Sequence, residues 1–341
     1  MTLTFIWRVW LQFLLISGAI LICGSRLSRY ADVLAEKTHL GRTWIGLTGL
    51  AVVTSLPELT TGASAVLWVR LPDIAVGNLL GACVMNLAIL AVADLVYPPG
   101  PVLSAADRGH VLAAAFGVVM LGIASLAVMA RNPVPGISLG HLGLSTPVLL
   151  ICYLLAMRAT YRYQQRERAQ YLKEHVEEVL YPDVSLKTAI LRFGMHAGVV
   201  VAAAVWLPRV AENLGELMGW HLSLVGTVFV AAVTTLPELV VTISAVRLGA
   251  VDLGVGNLLG SVMANVAMLG IMDLLYSDGP LLRAAAPEHA ATGVVAMVMT
   301  GIAAVELMYR PQKKALRWMS LGAFVLAFLY AGNVLLQTLA R

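Results

Sequence analysis

The sequence predicts an all-α polytopic membrane protein, with ten transmembrane helices in two inverted five-helix repeats. Three observations carry this. The 341 residues are 59% hydrophobic and only 12% charged, with a mean hydropathy of +0.84, whereas soluble domains are about 25% charged. The apolar stretches reach the roughly 20 residues needed to cross a bilayer and read as helical blocks, not as the alternating strands of a barrel. Finally, the first half of the chain repeats in the second.

Taken in order, the expected spans are 9–25, 43–69, 73–97, 109–130, 139–158, 190–208, 220–246, 251–276, 288–308 and 315–338. The first apolar run leads into Gly24-Ser25-Arg26 without an A-x-A cleavage site, so it reads as a retained helix and not a signal peptide. The polar stretch 159–189 reads as a short surface helix plus linker. It divides the chain into a first repeat (1–158), a linker (159–189) and a second repeat (190–341). Cys23, Cys83 and Cys152 are isolated in apolar stretches and suggest neither a disulfide framework nor a thiolate metal site.

Lys and Arg counts set the expected orientation. Alternate loops divide the 23 basic residues into 17 on one side and 6 on the other. This places both termini outside and the 159–189 linker in the cytoplasm, the expected setting being a prokaryotic inner membrane. The formal charge of +4 is therefore a topology signal and not a nucleic-acid footprint.

The repeat is detailed. ADVLAEKTHLGRTWIGLTGL (31–50) aligns with AENLGELMGWHLSLVGTVFV (211–230) at an offset of 180, and DIAVGNLLGACVMNLAILAVADLVY (73–97) with DLGVGNLLGSVMANVAMLGIMDLLY (252–276) at an offset of 179. Five helices per half is an odd number, so the second half enters the membrane from the opposite side. Secondary transporters with such repeats place their substrate site near the midplane, where the repeats meet.

Two motifs recur within the repeats. VVTSLPEL contains Glu58, and VTTLPEL contains Glu238. A carboxylate at the centre of a bilayer costs about 2.5–3.5 kcal/mol on the insertion scale and normally marks an ion path. Pro57 and Pro237 lack an N–H, so the carbonyls of Val53 and Val233 lose their helical partners. Irregular backbone at membrane depth is tolerated where it lines a cavity. Thr54, Ser55 and Glu58 cluster on one face, as do Thr234, Thr235 and Glu238. This all-oxygen set suits hard cations such as Ca²⁺. In GNLLGACVMN (77–86) and GNLLGSVMAN (256–265), paired glycines allow close helix approach. Asn86 and Asn265 add amide oxygens, while Asn78 and Asn257 suit capping or cross-linking of broken helices. Asp94 and Asp273 fall near span ends, where interfacial or gating roles fit. His110 and His289 sit at predicted helix starts, where an interfacial structural role fits, with proton sensing as the alternative.

These motifs resemble the α-repeats of the cation/Ca²⁺ exchanger superfamily, the sodium/calcium exchanger membrane region of the prokaryotic ten-helix type, whose pattern is roughly G-T-S-x-P-E followed by G-N-x-x-G-S-x-x-x-N/D. The resemblance covers both halves. It implies a non-enzymatic antiporter that exchanges Ca²⁺ for Na⁺ by alternating access, or for H⁺ as the alternative, with no cofactor and with inorganic cations and the bilayer as its partners. By motif position, Glu58 and Glu238 would be the shared central ligands and Asn86 and Asn265 would complete the centre. Thr54, Ser55, Thr234, Thr235 and Ser261 would form flanking Na⁺ sites, and the carbonyls of Ala51 and Ala231 would contribute from the preceding turn.

The sequence departs from the family pattern at three places. Val53 and Val233 stand where the pattern has Gly, Ala82 replaces the first-copy Ser, and Asn265 stands where many Na⁺-coupled members carry Asp. The centre then holds two carboxylates, matched by one Ca²⁺, two Na⁺ or two H⁺, which points to exchange that is near-electroneutral or proton-coupled. A cation channel could use the same oxygens, but it would more naturally be built as a ring of subunits. An intramembrane hydrolase lacks any paired-Asp, HExxH or Ser/Lys signature here. Oligomeric state stays open.

Overall fold

The computed structural model describes residues 3–37, 53–130, 141–171 and 184–339. Among them the chain is helical apart from short connections and one isolated bridge, Leu316 with Met319. The main helices are α1 (Leu3–Lys37), α2 (Leu56–Ser64), α3 (Pro72–Val96), α4 (His110–Met129), α5 (Ser145–Tyr171), α6 (Leu186–Met218), α7 (Leu236–Arg247), α8 (Val251–Leu275), α9 (Glu288–Tyr309) and α10 (Leu321–Leu339).

Seven of these are long and apolar enough by themselves to cross a membrane. An eighth span is the Leu222–Thr234 segment followed by α7, bent by 45° at the break. Its counterpart is α2, which continues into a π-helical turn at Ala65–Val69. The upstream half of the predicted 43–69 span lies mostly outside the described residues. Of the predicted 139–158 span, residues 145–158 form the first part of α5.

Several boundaries differ from the sequence expectation. α1 and α6 extend well beyond 9–25 and 190–208, because polar turns at both ends keep helical geometry. α5 runs on to Tyr171 into the expected linker, and Ser185 caps α6 by accepting the Thr188 N–H at 3.2 Å. The last span starts at Leu321 and not 315, because residues 310–320 turn back on themselves.

α3 and α8 form the centre: the most apolar window of each is 78% buried, against 22% for α1 and 17% for α6. The latter two pack on one another and present their remaining faces outward. Backbone contact sets the centre. A Cβ on Gly77 would stand 3.0 Å from the Thr227 nitrogen, and one on Gly81 would overlap the Thr227 carbonyl oxygen. The GNLLG motif thus lets α3 lie directly against the Leu222–Thr234 segment, the close approach that small residues permit between membrane helices.

Contacts between the halves are reciprocal. His110 Nε2 lies 3.2 Å from Asp252 Oδ1, and His289 Nε2 lies 3.2 Å from Asp73 Oδ1. Asp252 Oδ1 also accepts the Asp107 N–H at 2.5 Å, and Asp73 Oδ1 accepts the Ala286 N–H at 2.6 Å. Each of these contacts of one half on the other recurs with the roles exchanged, which is the signature of a two-fold relation.

Candidate cation site

The site is built on two interrupted helices. Ser55 (φ −83°, ψ 10°) and Thr235 (φ −84°, ψ 2°) precede α2 and α7, and Pro57 and Pro237 occupy the first turn of each. Proline fits there because first-turn N–H groups have no intrahelical partner. The prolines therefore start new helices, in keeping with the broken helices that the sequence suggested. Glu58 and Glu238 fall in those first turns, where the positive end of the helix dipole favours a carboxylate.

Neither Ser55 nor Thr235 spends its side chain on capping. The Ser55 hydroxyl lies 3.4 Å from Glu238 Oε1 and 3.3 Å from Ser261 Oγ. It links α2 to α7 and α8 across the repeat boundary. Thr235 instead donates to the Ala231 carbonyl at 2.7 Å. That carbonyl also accepts the Thr234 hydroxyl at 3.2 Å and the Thr235 N–H at 3.0 Å.

The remaining threonines cross between halves. Thr54 donates to Asn257 Oδ1 at 3.3 Å, and Thr234 donates to Asn78 Oδ1 at 3.0 Å. Asn78 Nδ2 donates in turn to the Glu58 carbonyl at 3.2 Å. Asn78 and Asn257 therefore brace the broken helices, as their positions suggested.

The polar residues of this centre are buried: Glu58, Ser55, Asn86, Thr234, Glu238, Ser261 and Asn265 are 0% exposed. Yet seven side-chain atoms on four of them lack a hydrogen-bond partner among the described residues. These are both oxygens of Glu58, Oε2 of Glu238, and the amide O and N of Asn86 and of Asn265. Each such atom costs about 1–3 kcal/mol, more when charged. The four residues come from both copies of the repeat, two carboxylates and two amides. No group of three or more His, Cys, Asp or Glu suited to a metal occurs among the described residues. The donors are two carboxylates with neutral oxygens around them.

Ala51 lies outside the described residues. Thr242 was not singled out from sequence. It is buried on α7 one turn beyond Glu238, and its hydroxyl has no partner among the described residues. The i+4 spacing from Glu238 is the signal that would have found it.

Asp94 and Asp273 stand apart from this centre. Asp94 accepts the N–H of Val102 at 2.8 Å and of Ser320 at 2.7 Å. Asp273 accepts the N–H of Leu281 at 2.5 Å and of Gly143 at 2.9 Å, and also the Thr146 hydroxyl. Both carboxylates tie connecting segments to helix ends.

Two further contacts hold the outer helices. Pro208 lies inside α6 and leaves the Ala204 carbonyl without its helical donor. Thr61 supplies one at 3.3 Å, and Ser64 donates to the Val205 carbonyl at 2.6 Å. On the opposite side, a Cβ on Gly24 of α1 would stand 2.5 Å from Pro237 Cγ.

The chain is similar to several known proteins in sequence or in fold. The chain is 27% identical over 271 residues to the inner membrane protein YrbG of Escherichia coli, covering 79% of this chain and 80% of that one. It is 26% identical to the putative antiporter CaxA of Alkalimonas amylolytica, over 72% and 74% of the two chains. Among solved structures, the sodium–calcium exchanger NCX_Mj superposes with a TM-score of 0.63 at 21% identity, covering 96% of this chain and 98% of that one. The H⁺/Ca²⁺ exchanger CAX superposes with a TM-score of 0.72 at 15% identity, covering 97% and 84%. The family model described as sodium/calcium exchanger protein matches residues 8–161 and 188–339, one match for each repeat. With nearly its whole length accounted for by these two matches, the chain belongs to the sodium/calcium exchanger family.

Proposed function

We propose that this protein is a secondary antiporter that exchanges Ca²⁺ for Na⁺ at the midplane site between its repeats, by alternating access. Family membership supports cation/Ca²⁺ antiport, and the observation that carries the reading to these residues is the set of orphaned atoms on Glu58, Glu238, Asn86 and Asn265. Ca²⁺ takes six to eight oxygen ligands and tolerates irregular geometry. Glu58 and Glu238 are its shared charged ligands, and Asn86 and Asn265 complete the shell. Thr54, Ser55, Thr234, Thr235 and Ser261 provide flanking oxygens for Na⁺. The Ala231 carbonyl, which already accepts three donors, joins only if the Thr235 hydroxyl turns away. Ala51 takes the equivalent role in the first copy.

Units 1–158 and 190–341 act as the two repeats around a 159–189 linker, with both termini outside and the linker in the cytoplasm. No enzymatic step, cofactor or nucleic-acid partner is part of this reading.

A second reading, H⁺ as the counter-ion, rests on the two-carboxylate count. Two protons neutralise Glu58 and Glu238 as completely as one Ca²⁺ does. The names of similar proteins include both Na⁺/Ca²⁺ and H⁺/Ca²⁺ exchangers. Measuring ⁴⁵Ca²⁺ flux in proteoliposomes under separately imposed Na⁺ and pH gradients decides between them. Uptake driven by a Na⁺ gradient at symmetric pH supports the first reading. Uptake driven only by a pH gradient selects the second, and uptake that needs neither removes antiport altogether.

A further inference from the structure

The connection between α9 and α10 is polar but firmly mounted. Lys314 Nζ donates to the carbonyls of Asp94, Tyr97 (2.9 Å) and Trp318 (3.4 Å), and lies 3.9 Å from Asp94 Oδ2. The Ser104 hydroxyl holds the Pro311 carbonyl at 2.9 Å. Leu316 and Met319 exchange backbone hydrogen bonds of 3.0 and 3.2 Å, so the chain reverses at Arg317-Trp318. Met319 is buried beneath this turn, while Trp318 is 61% exposed and Lys313 and Arg317 are exposed beside it.

The segment joins two membrane-crossing helices, so its tip sits at headgroup level. Residues 310–320 contain Arg310, Lys313, Lys314 and Arg317 and no acidic residue. Arg310 and Lys314 are already engaged with the α3–α4 end of the protein. Lys313 and Arg317 flank an indole of the kind that seats at a membrane interface. The corresponding stretch of the first half, 131–140, carries one base, Arg131, and no aromatic residue. The feature therefore belongs to one membrane face, the one that the Lys and Arg count makes basic.

We propose that Lys313, Arg317 and Trp318 form a docking surface for an anionic phospholipid of the bilayer. The two cations take the phosphate and the indole rests at the glycerol level. Lys314 and Asp94 mount this surface on the C-terminal end of α3, so a bound lipid braces the central helix from one side only.

The test uses the full-length protein in mixed micelles of phosphatidylcholine and phosphatidylglycerol, with bound phosphatidylglycerol counted by native mass spectrometry. Each cation near an anionic surface is worth about fivefold in affinity, so the double variant Lys313→Gln/Arg317→Gln should raise the half-saturating phosphatidylglycerol fraction by roughly 25-fold. The control Lys187→Gln, exposed at the start of α6, should leave it unchanged. Brominated phosphatidylglycerol should quench less fluorescence in Trp318→Phe than in the parent protein. An unmoved midpoint in the double variant, an equal shift in the Lys187 control, or competition by free glycerol phosphate as effective as by the lipid overturns the proposal.

Discussion

The two halves of the molecule share a backbone plan but treat their central carboxylates differently. Glu238 has a hydroxyl partner: Ser55 approaches it and is itself backed by Ser261. Among the described residues neither oxygen of Glu58 has a partner at hydrogen-bond geometry, although the Thr234 side chain lies near enough to interact with it. The residue equivalent to Ser261 is Ala82, and the residue equivalent to Ser55 is Thr235, whose hydroxyl turns back to Ala231. The single Thr234 hydroxyl hydrogen is shared between the Asn78 amide oxygen and the Ala231 carbonyl. With Ala82 in place of a serine, Thr235 lacks the counterpart of the contact between Ser55 and Ser261. Two-fold architecture therefore need not give two equal sites. The helix frame is symmetric, while the polar lining is set residue by residue.

The largest expected effect tests what the halves share. Glu58→Gln and Glu238→Gln should each reduce ⁴⁵Ca²⁺ uptake to background, about 100-fold or more, since either removes half the charge that meets the cation. Both should remain monodisperse on size exclusion. The cation-free proteins should differ: Glu58→Gln should raise the melting temperature more than Glu238→Gln, because the carboxylate without a donor has more desolvation cost to lose. Retained uptake in either variant would remove its residue from the centre.

Next in size is the anchoring of the helix ends. Asp94→Ala and Asp273→Ala each remove a carboxylate that accepts backbone N–H groups in a buried position. Charge-assisted bonds of this kind are worth about 1.5–3 kcal/mol each. Both variants should unfold at lower temperature, and Asp94→Ala should additionally release Lys314, seen as faster proteolysis within 310–320. Equal proteolysis of the two variants in that segment would deny the asymmetry.

A smaller effect is expected at the α2–α6 contact. Thr61→Val removes the donor that Pro208 makes necessary, at a cost of about 1 kcal/mol. The double variant Thr61→Val/Pro208→Ala should recover that stability, because the substitution at 208 restores a backbone N–H that can donate to the Ala204 carbonyl. No recovery would mean that the hydroxyl answers to something other than the proline.

The smallest change addresses the difference between the halves directly. Ala82→Ser restores the hydroxyl that the first half lacks. It should strengthen the dependence of Ca²⁺ flux on Na⁺ by roughly a few-fold, in the range of one added neutral hydrogen-bonding group. In the parent protein, charge movement per Ca²⁺ should be close to zero. A full net charge per Ca²⁺ in the parent would contradict the two-carboxylate count.

Much of this was legible in the sequence, because membrane helices leave few choices. A long apolar run must be a helix, and a polar residue within it needs a reason. The offsets of 180 and 179 aligned Glu58 with Glu238 and Asn86 with Asn265, and those residues are among the ones left without partners. The repeat also aligned Asp73 with Asp252 and His110 with His289, but it could not reveal that each histidine meets the aspartate of the other half. That pairing is a tertiary fact with no local signature. Asp94 and Asp273 looked like interfacial or gating groups, since a carboxylate near a span end gives no hint that loop N–H groups will surround it. The extension of α5 past the membrane was hidden because polar residues continue a helix as readily as they form a linker. Thr242 was missed because its counterpart is Gly62, and attention to repeated polarity discards residues that appear only once.

The exchanged contacts have a consequence for the chain as a unit of assembly. Thr54 is completed by Asn257 and Thr234 by Asn78, while His110 needs Asp252 and His289 needs Asp73. A half-chain would therefore carry the donors for bonds whose acceptors it could reach only in a second copy inserted upside down. Here the connecting segment guarantees that second copy at a fixed ratio. It also frees each half to acquire its own charge bias and its own lining, which a pair of identical subunits in opposed orientations could not do.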